Sequence, residues 1–153
     1  MFEHDWDNYP ELTNNQLEVL EFVSPHPQIK NDFRATVVRV IDGDTVVLAW
    51  KERDFVFPLR LLHIDAPELN EPNGHEVGLW LEARILQREV DILIEQNNRV
   101  DKYGRLLGSI LHNGINIGYE MLQLGLAVPF EERDASKLPD LNKLLWEGRI
   151  DEF

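Results

Sequence analysis

Two acids bracket a glycine at Asp42-Gly43-Asp44, and an apolar run, Thr45-Val46-Val47-Leu48, follows. Downstream, Arg60-Leu61-Leu62-His63-Ile64-Asp65-Ala66-Pro67-Glu68 adds a guanidinium and two more carboxylates. Side chains alternate across a strand, so Arg60, Leu62 and Ile64 are expected on one face and Leu61, His63 and Asp65 on the other. Pro67 ends pairing and re-aims Glu68, which lets Asp65 and Glu68 converge. Asp44 joins them if the hairpin pairs in order with that strand. Three carboxylates from two segments make an oxygen-rich pocket suited to a hard cation such as Ca2+ or Mg2+. Arg60, and Arg105 of Asp101-Lys102-Tyr103-Gly104-Arg105, supply two forks that grip a phosphate bidentately. Such a set supports hydrolysis of a metal-bound phosphodiester. The arginines stabilise the extra negative charge of the five-coordinate state, and Glu68 orients or deprotonates the attacking water. Each fragment alone also has a plainer reading: a solvated hairpin tip, a surface ion-pair partner, a strand terminator.

The elements that must position these residues are legible from periodicity. Ala35–Ile41 and Thr45–Trp50 are rich in β-branched residues, and Asp42-Gly43 between them favours a tight hairpin. Phe55–Ile64 reads as a third strand, giving an antiparallel meander. From Glu76 the period changes: Val77, Trp80, Leu81, Ile85 and Leu86 mark one face of a helix ending near Glu89. Val90–Glu95 and Arg105–His112 read as strands four and five, the latter closed by Asn113-Gly114. Ile117, Met121, Leu122 and Leu124 predict a helix stopped at Gly125, and Leu138, Leu141, Leu144 and Leu145 another, with Pro139 near its first turn. A twisted five-stranded sheet leaves two raw edges unless it curls, so the expected fold is α+β, mainly β: an OB-like five-stranded barrel with about three helices.

Residues 1–33 read as an N-terminal extension to a main domain spanning 34–153. Thr13 and Gln16 have the spacing of a capping box. Gln16, Val19, Leu20 and Val23 then predict a short helix to about Phe22, stopped by Ser24-Pro25-His26-Pro27. The extension is either a decorating helix packed on the main domain or an arm that docks a protein partner.

The chain's 153 residues suit one domain, and its 43% hydrophobic content can fill a core. Cysteine is absent, which excludes disulfides and thiolate metal sites. No apolar run approaches the ~20 residues of a membrane span. The acidic start, Met1-Phe2-Glu3-His4-Asp5, lacks the pattern of a secretory signal, so a cytoplasmic location is expected unless a leader has been removed. The five histidines show no ligand spacing, and His63 is expected to face a barrel or helix neighbour. Trp50, Trp80 and Trp146 are expected in the core. The net charge of −13 opposes long-range attraction to phosphate backbones but agrees with cation binding by clustered carboxylates.

"VIDGDTVVL", "LRLLHIDAPEL", "VDKYGRLLGSIL" and "LGLA", in that order, resemble the pattern of the staphylococcal nuclease, or thermonuclease, family. The likeness covers roughly Ala35 to Phe130 and continues more weakly to Trp146. It implies an OB-fold barrel with a Ca2+-dependent site that cleaves DNA and RNA, water attacking the phosphodiester and the 5′ oxygen departing to leave 3′-phosphate ends. By position, Asp44 and Asp65 resemble direct calcium ligands, Ala66 the residue giving its backbone carbonyl, and Asp42 an outer-shell partner. Glu68 resembles the general base or water-positioner, and Arg60 and Arg105 the phosphate-clamping pair. Lys102 and Tyr103 resemble residues that contact nucleotide phosphates.

Three features depart from the family pattern. Ala66 stands where the founding member has threonine. The loop after Glu68 is acidic and short of lysine. Val128-Pro129-Phe130-Glu131-Glu132 replaces the tyrosines of secreted members: Phe130 can stack but cannot donate a hydrogen bond, and the two glutamates repel a phosphate. A carbonyl ligand survives the change at Ala66, and the other two departures predict a slower, more salt-sensitive enzyme. The alternative is a non-catalytic OB-fold scaffold that binds nucleic acid or protein. In such relatives the acids and arginines are typically replaced, whereas here Asp44, Asp65, Glu68, Arg60 and Arg105 all remain.

Overall fold

The computed structural model describes residues 3–130. Its first hairpin joins β1 (Phe33–Asp42) to β2 (Thr45–Ala49), antiparallel from Thr36↔Ala49 to Asp42↔Thr45. The loop is therefore Gly43-Asp44, one residue later than the Asp42-Gly43 tip expected from the dipeptide. Two register shifts, between Val37 and Arg39 and between Val40 and Asp42, bend β1. β2 pairs antiparallel with β3 (Phe57–Leu61), completing the meander. The other edge of β1 takes β5 (Glu89–Leu93), β5 takes β6 (Leu106–His112), and β6 returns to β3 in parallel from Leu59↔Leu106 to Leu61↔Gly108. The ring β1-β2-β3-β6-β5 is closed, which leaves the five strands no raw edge. The mainly β, OB-type barrel expected from the strand order is the fold observed.

The third strand corrects the sequence reading. It does not run unbroken to Ile64: β3 stops at Leu61, and Ile64–Asp65 form a separate short strand, β4. Between them His63 adopts a left-handed backbone, φ 68°. The kink turns Leu61 and Leu62 both inward and shifts the side-chain phase, so Arg60 and Asp65, expected on opposite faces, meet.

α2 (Gly74–Ile85) buries Val77, Leu81 and Ile85 against the barrel, as its period predicts. It ends before the expected limit because Gln87 takes φ 62°, turning the chain so that β5 begins at Glu89. After β6, an Asn113-Gly114 turn leads to β7 (Ile115–Asn116) and then α3 (Ile117–Gln123). The Asn116 side chain caps α3 by accepting from the Tyr119 amide at 3.0 Å. The next segment, β8 (Val128–Pro129), pairs with β4. The core gathers Val37, Val46, Leu48, Leu59, Ile92 and Ile110 from the barrel, Leu81 and Ile85 from α2 and Met121 from α3. Trp50 and Trp80 pack, partly buried, against it. The helix expected at 138–145, Trp146, Glu131 and Glu132 lie outside the described residues.

In the extension, Thr13 and Gln16 form the expected capping box of α1 (Asn14–Leu20), followed by a 3-10 turn, Glu21–Val23. Its apolar stripe packs only in part: α1 fully buries no residue, Leu20 is half-buried, Val19 and Val23 are half exposed and Phe22 is 87% exposed. The segment docks through its flanks instead. Leu12 and Ile29 are buried, and Glu11 accepts from both terminal nitrogens of Arg53, at 2.6 and 2.9 Å, with neither side chain open to water. Arg53 also donates to the Pro27 carbonyl and lies 4.6 Å over the Phe57 ring, flanked by Trp50 and Phe55.

Candidate active site

The hairpin loop, the end of β3 and β4 meet at one end of the barrel. The Asp44 carbonyl accepts from the Leu61 amide at 2.8 Å. Its side chain accepts from the Thr45 hydroxyl at 3.1 Å and from the Ala66 amide at 3.0 Å. The acid is thereby fixed by three different stretches of chain, although it is 7% exposed. Asp42 accepts from the Asp44 amide at 3.1 Å. Burial, and then the neighbouring Asp44 carboxylate, push the Asp42 carboxyl up to about 6.

Arg60 joins the acids. Its Nη2 lies 3.3 Å from Asp44 and 3.5 Å from Asp65, and its Nη1 donates to the carbonyls of Leu61 and Ile64. It is largely buried, not the surface ion-pair partner of the plainer reading. Above it, the β4–β8 pairing and a bond from the Phe130 amide to the His63 carbonyl strap down the chain after α3. This places the Phe130 ring 5.6 Å from the Arg60 guanidinium carbon. Nothing in the local sequence around Val128 signals that strap, since two-residue strands carry no periodicity.

Arg60 also lines a cleft of about 570 Å3 shared with His63, Lys102, Tyr103, Arg105 and Phe130. Asp101 organises the far wall, accepting from the Tyr103 and Arg105 amides and from Arg105 Nε at 2.8, 2.9 and 2.8 Å. Lys102 and Arg105 lie 5.2 and 5.6 Å from the Tyr103 ring centre. His63 pairs with Glu95 on the segment following β5. The chain thus gathers its cationic candidates in one concavity despite its net acidity.

Asp42, Asp44, Asp65, Ala66 and Arg60 are brought together; Glu68 is not brought into contact with them. It lies exposed on the tail beyond Pro67, its amide donating to the Glu71 carboxylate at 2.7 Å. Among the described residues, no three acidic, histidine or cysteine side chains are grouped to hold a metal ion. The expected convergence of Asp44, Asp65 and Glu68 is therefore replaced by two carboxylates sharing Arg60. The donor set still fits a hard cation in kind: Asp42, Asp44 and Asp65 offer carboxylate oxygens and Ala66 a backbone carbonyl.

Gly43 lets the parts approach. A Cβ there would stand 2.6 Å from Val77 Cγ1 and 2.7 Å from Ala66 Cβ. Gly43→Ala is expected to push α2 and the β4 tail off the hairpin and cost about 1–3 kcal/mol, read from a urea unfolding midpoint. An unchanged midpoint would show that the contact yields freely.

A closed OB-type barrel, with Asp42, Asp44, Asp65 and Arg60 at one end and a cleft lined by Arg60, Lys102 and Arg105 alongside, is the class of architecture observed. Residues 58–147 match the family model described as Staphylococcal nuclease homologue. The chain belongs to that family. It is 30% identical over 112 residues to a protein named Uncharacterized endonuclease from Escherichia coli O157:H7, covering 72% of this chain and 70% of that protein. It is 28% identical over 124 residues to Endonuclease YncB of Bacillus subtilis (strain 168), covering 74% and 57%. With Micrococcal nuclease of Shigella flexneri the identity is 35% over 79 residues, covering 52% and 42%. No helix among the described residues is long and apolar enough to cross a membrane.

Proposed function

We propose that this chain is a Ca2+-dependent nuclease that hydrolyses phosphodiester bonds of DNA or RNA, by water attack with departure of the 5′ oxygen. The observation that carries this reading is Arg60, which touches both Asp44 and Asp65 on one side and lines the cleft of Arg105, Lys102 and Tyr103 on the other. Acids for a cation and forks for a phosphate are then contiguous. The domain proper is residues 34–153, with 1–33 appended.

Asp44, Asp65 and the Ala66 carbonyl would hold the cation, with Asp42 supporting them through its waters. When bound, Ca2+ supplies neutralisation of one phosphate oxygen. Arg60 and Arg105 grip the remaining oxygens and stabilise the charge that builds as water adds. Lys102 and Tyr103 orient the neighbouring phosphates. Glu68, three residues beyond Asp65 and exposed, would have to swing toward the bound phosphate to orient the attacking water or take its proton. Phe130 offers a stacking face beside Arg60 but no hydrogen bond.

Incubation with single-stranded DNA, with and without Ca2+, tests the reading. Cleavage that needs the metal and leaves 3′-phosphate ends is the expected result, weakening as salt rises because salt screens the few phosphate contacts of Arg60, Lys102 and Arg105. The same titration should raise the melting temperature, since a hundredfold excess over Kd adds roughly 2.7 kcal/mol to native stability. No cleavage at any salt, together with no thermal shift in millimolar Ca2+, overturns the proposal in favour of a scaffold.

A further inference from the structure

We propose that the N-terminal extension is an internal brace for the phosphate-binding loop, and that Tyr9 is a positioning residue for Lys102, Tyr103 and Arg105. The inference rests on the nuclease reading for its catalytic consequence, but not for its geometry.

The loop between β5 and β6 carries the far wall of the cleft, and the extension holds it along its length. At its start, the Ile94 amide donates to Asp32 at 2.8 Å, and Asn14 donates to the Gln96 carbonyl at 3.0 Å. At its middle, Arg99 is buried and donates to the carbonyls of Ile29 and Leu12 and to the Asn14 side chain. At its tip, Gly104 has φ +83°, and a Cβ built there would stand 2.6 Å from Tyr9 Cδ1. The Tyr9 ring therefore covers the open face of the one residue separating Tyr103 from Arg105.

Tyr9 is itself held. Its amide donates to the Asp5 carbonyl at 2.9 Å and its carbonyl accepts from His4 at 2.7 Å. The following carbonyl, of Pro10, accepts from His26 and from Gln28, each at 2.8 Å. Glu11 then enters its buried pair with Arg53. The backbone that carries the ring is thus anchored on both sides, and the ring, 47% exposed, lies against the Asp101–Arg105 turn at Gly104. Within the turn, Asp101 sets the direction of the Arg105 guanidinium, so a shift at Gly104 moves the fork. A small misplacement of a charge-stabilising group is costly in rate, because orientation is part of the catalytic free energy.

The test compares full-length Tyr9→Ala, Tyr9→Phe and Phe22→Ala. Phe22 belongs to the same extension and is exposed, so its variant controls for the arm in general. Hydrogen exchange is read at the amides of Asp101, Tyr103, Gly104 and Arg105, and kcat and KM on single-stranded DNA are measured well below each melting temperature. Tyr9→Ala should speed exchange at those amides and lower kcat/KM, each roughly tenfold, while barrel amides keep their protection. Tyr9→Phe keeps the ring and should stay within about twofold of the parent on both readouts, as should Phe22→Ala. Unchanged loop exchange in Tyr9→Ala overturns the brace. So does acceleration spread evenly over the barrel, or faster loop exchange with unaltered kcat/KM. If the parent chain cleaves nothing, it is the nuclease reading that fails, and the exchange pattern still decides whether Tyr9 braces the loop.

Discussion

Replacing Glu11 with alanine is expected to destabilise the fold by about 3–5 kcal/mol, because it leaves a charged guanidinium buried without its counter-ion. Against the ~5–15 kcal/mol typical of a domain, this is a large fraction of the whole. Arg53 cannot reach water to compensate: its side chain is 0% exposed, and its Nε already lacks a hydrogen-bond partner. The aromatic faces of Trp50, Phe55 and Phe57 attract the cation but offer it no acceptor for the lost bonds. Joint replacement, Glu11→Leu with Arg53→Met, should recover most of the loss, since removing both charges removes the desolvation cost too. Urea midpoints for Glu11→Ala and the double variant check this. Equal losses in Glu11→Ala and the double variant would show that packing, and not the unpaired charge, sets the effect.

Arg105→Ala should lower kcat by about 10²–10³-fold, the usual effect of removing one preorganised group that stabilises transition-state charge. Its stability cost should stay below about 1 kcal/mol, since its ion pair with Asp101 is part-exposed, the Arg105 side chain being 37% open to water. Arg105 separates chemistry from folding better than Arg60, which also secures Asp44, Asp65 and two carbonyls. Arg105→Lys should recover little, because a point charge cannot replace a planar fork. Steady-state kinetics beside a melting curve decide the matter. Parent-like kcat in a folded Arg105→Ala chain would remove this residue from the proposed clamp.

Much of the scaffold was legible because it is local. β-branched runs around Asp42-Gly43, the Thr13/Gln16 box and the apolar period of α2 each declare themselves within a dozen residues. The kink at His63 was not legible: strand alternation assumes an unbroken strand, and a left-handed histidine inside one has no compositional signal. That single dihedral decides whether Arg60 and Asp65 part or meet. Glu11 and Arg53, like Tyr9 and Gly104, are joined across long stretches of chain, and no period links such pairs. The stripe on α1 locates the helix, as expected, but not what the helix packs against. Helical spacing at Val19 and Val23 records a face, while the neighbours that would cover it are set by the path of the chain around Leu12 and Ile29.

The sole parallel pairing among the described strands, β3 against β6, has a consequence for folding. Hairpins such as β1–β2 close short loops and can zip early, whereas the β3–β6 seam joins segments far apart in the chain and carries the larger entropic cost of closure. Arg60 sits on one side of that seam, opposite Leu107, and Arg105 immediately precedes the strand on the other. Any intermediate in which the meander has formed but the seam is open holds its two guanidinium groups on separate, independently moving segments. A nascent or partly unfolded chain would then be inert, and recovery of activity on refolding should follow the slowest structural phase and never precede it.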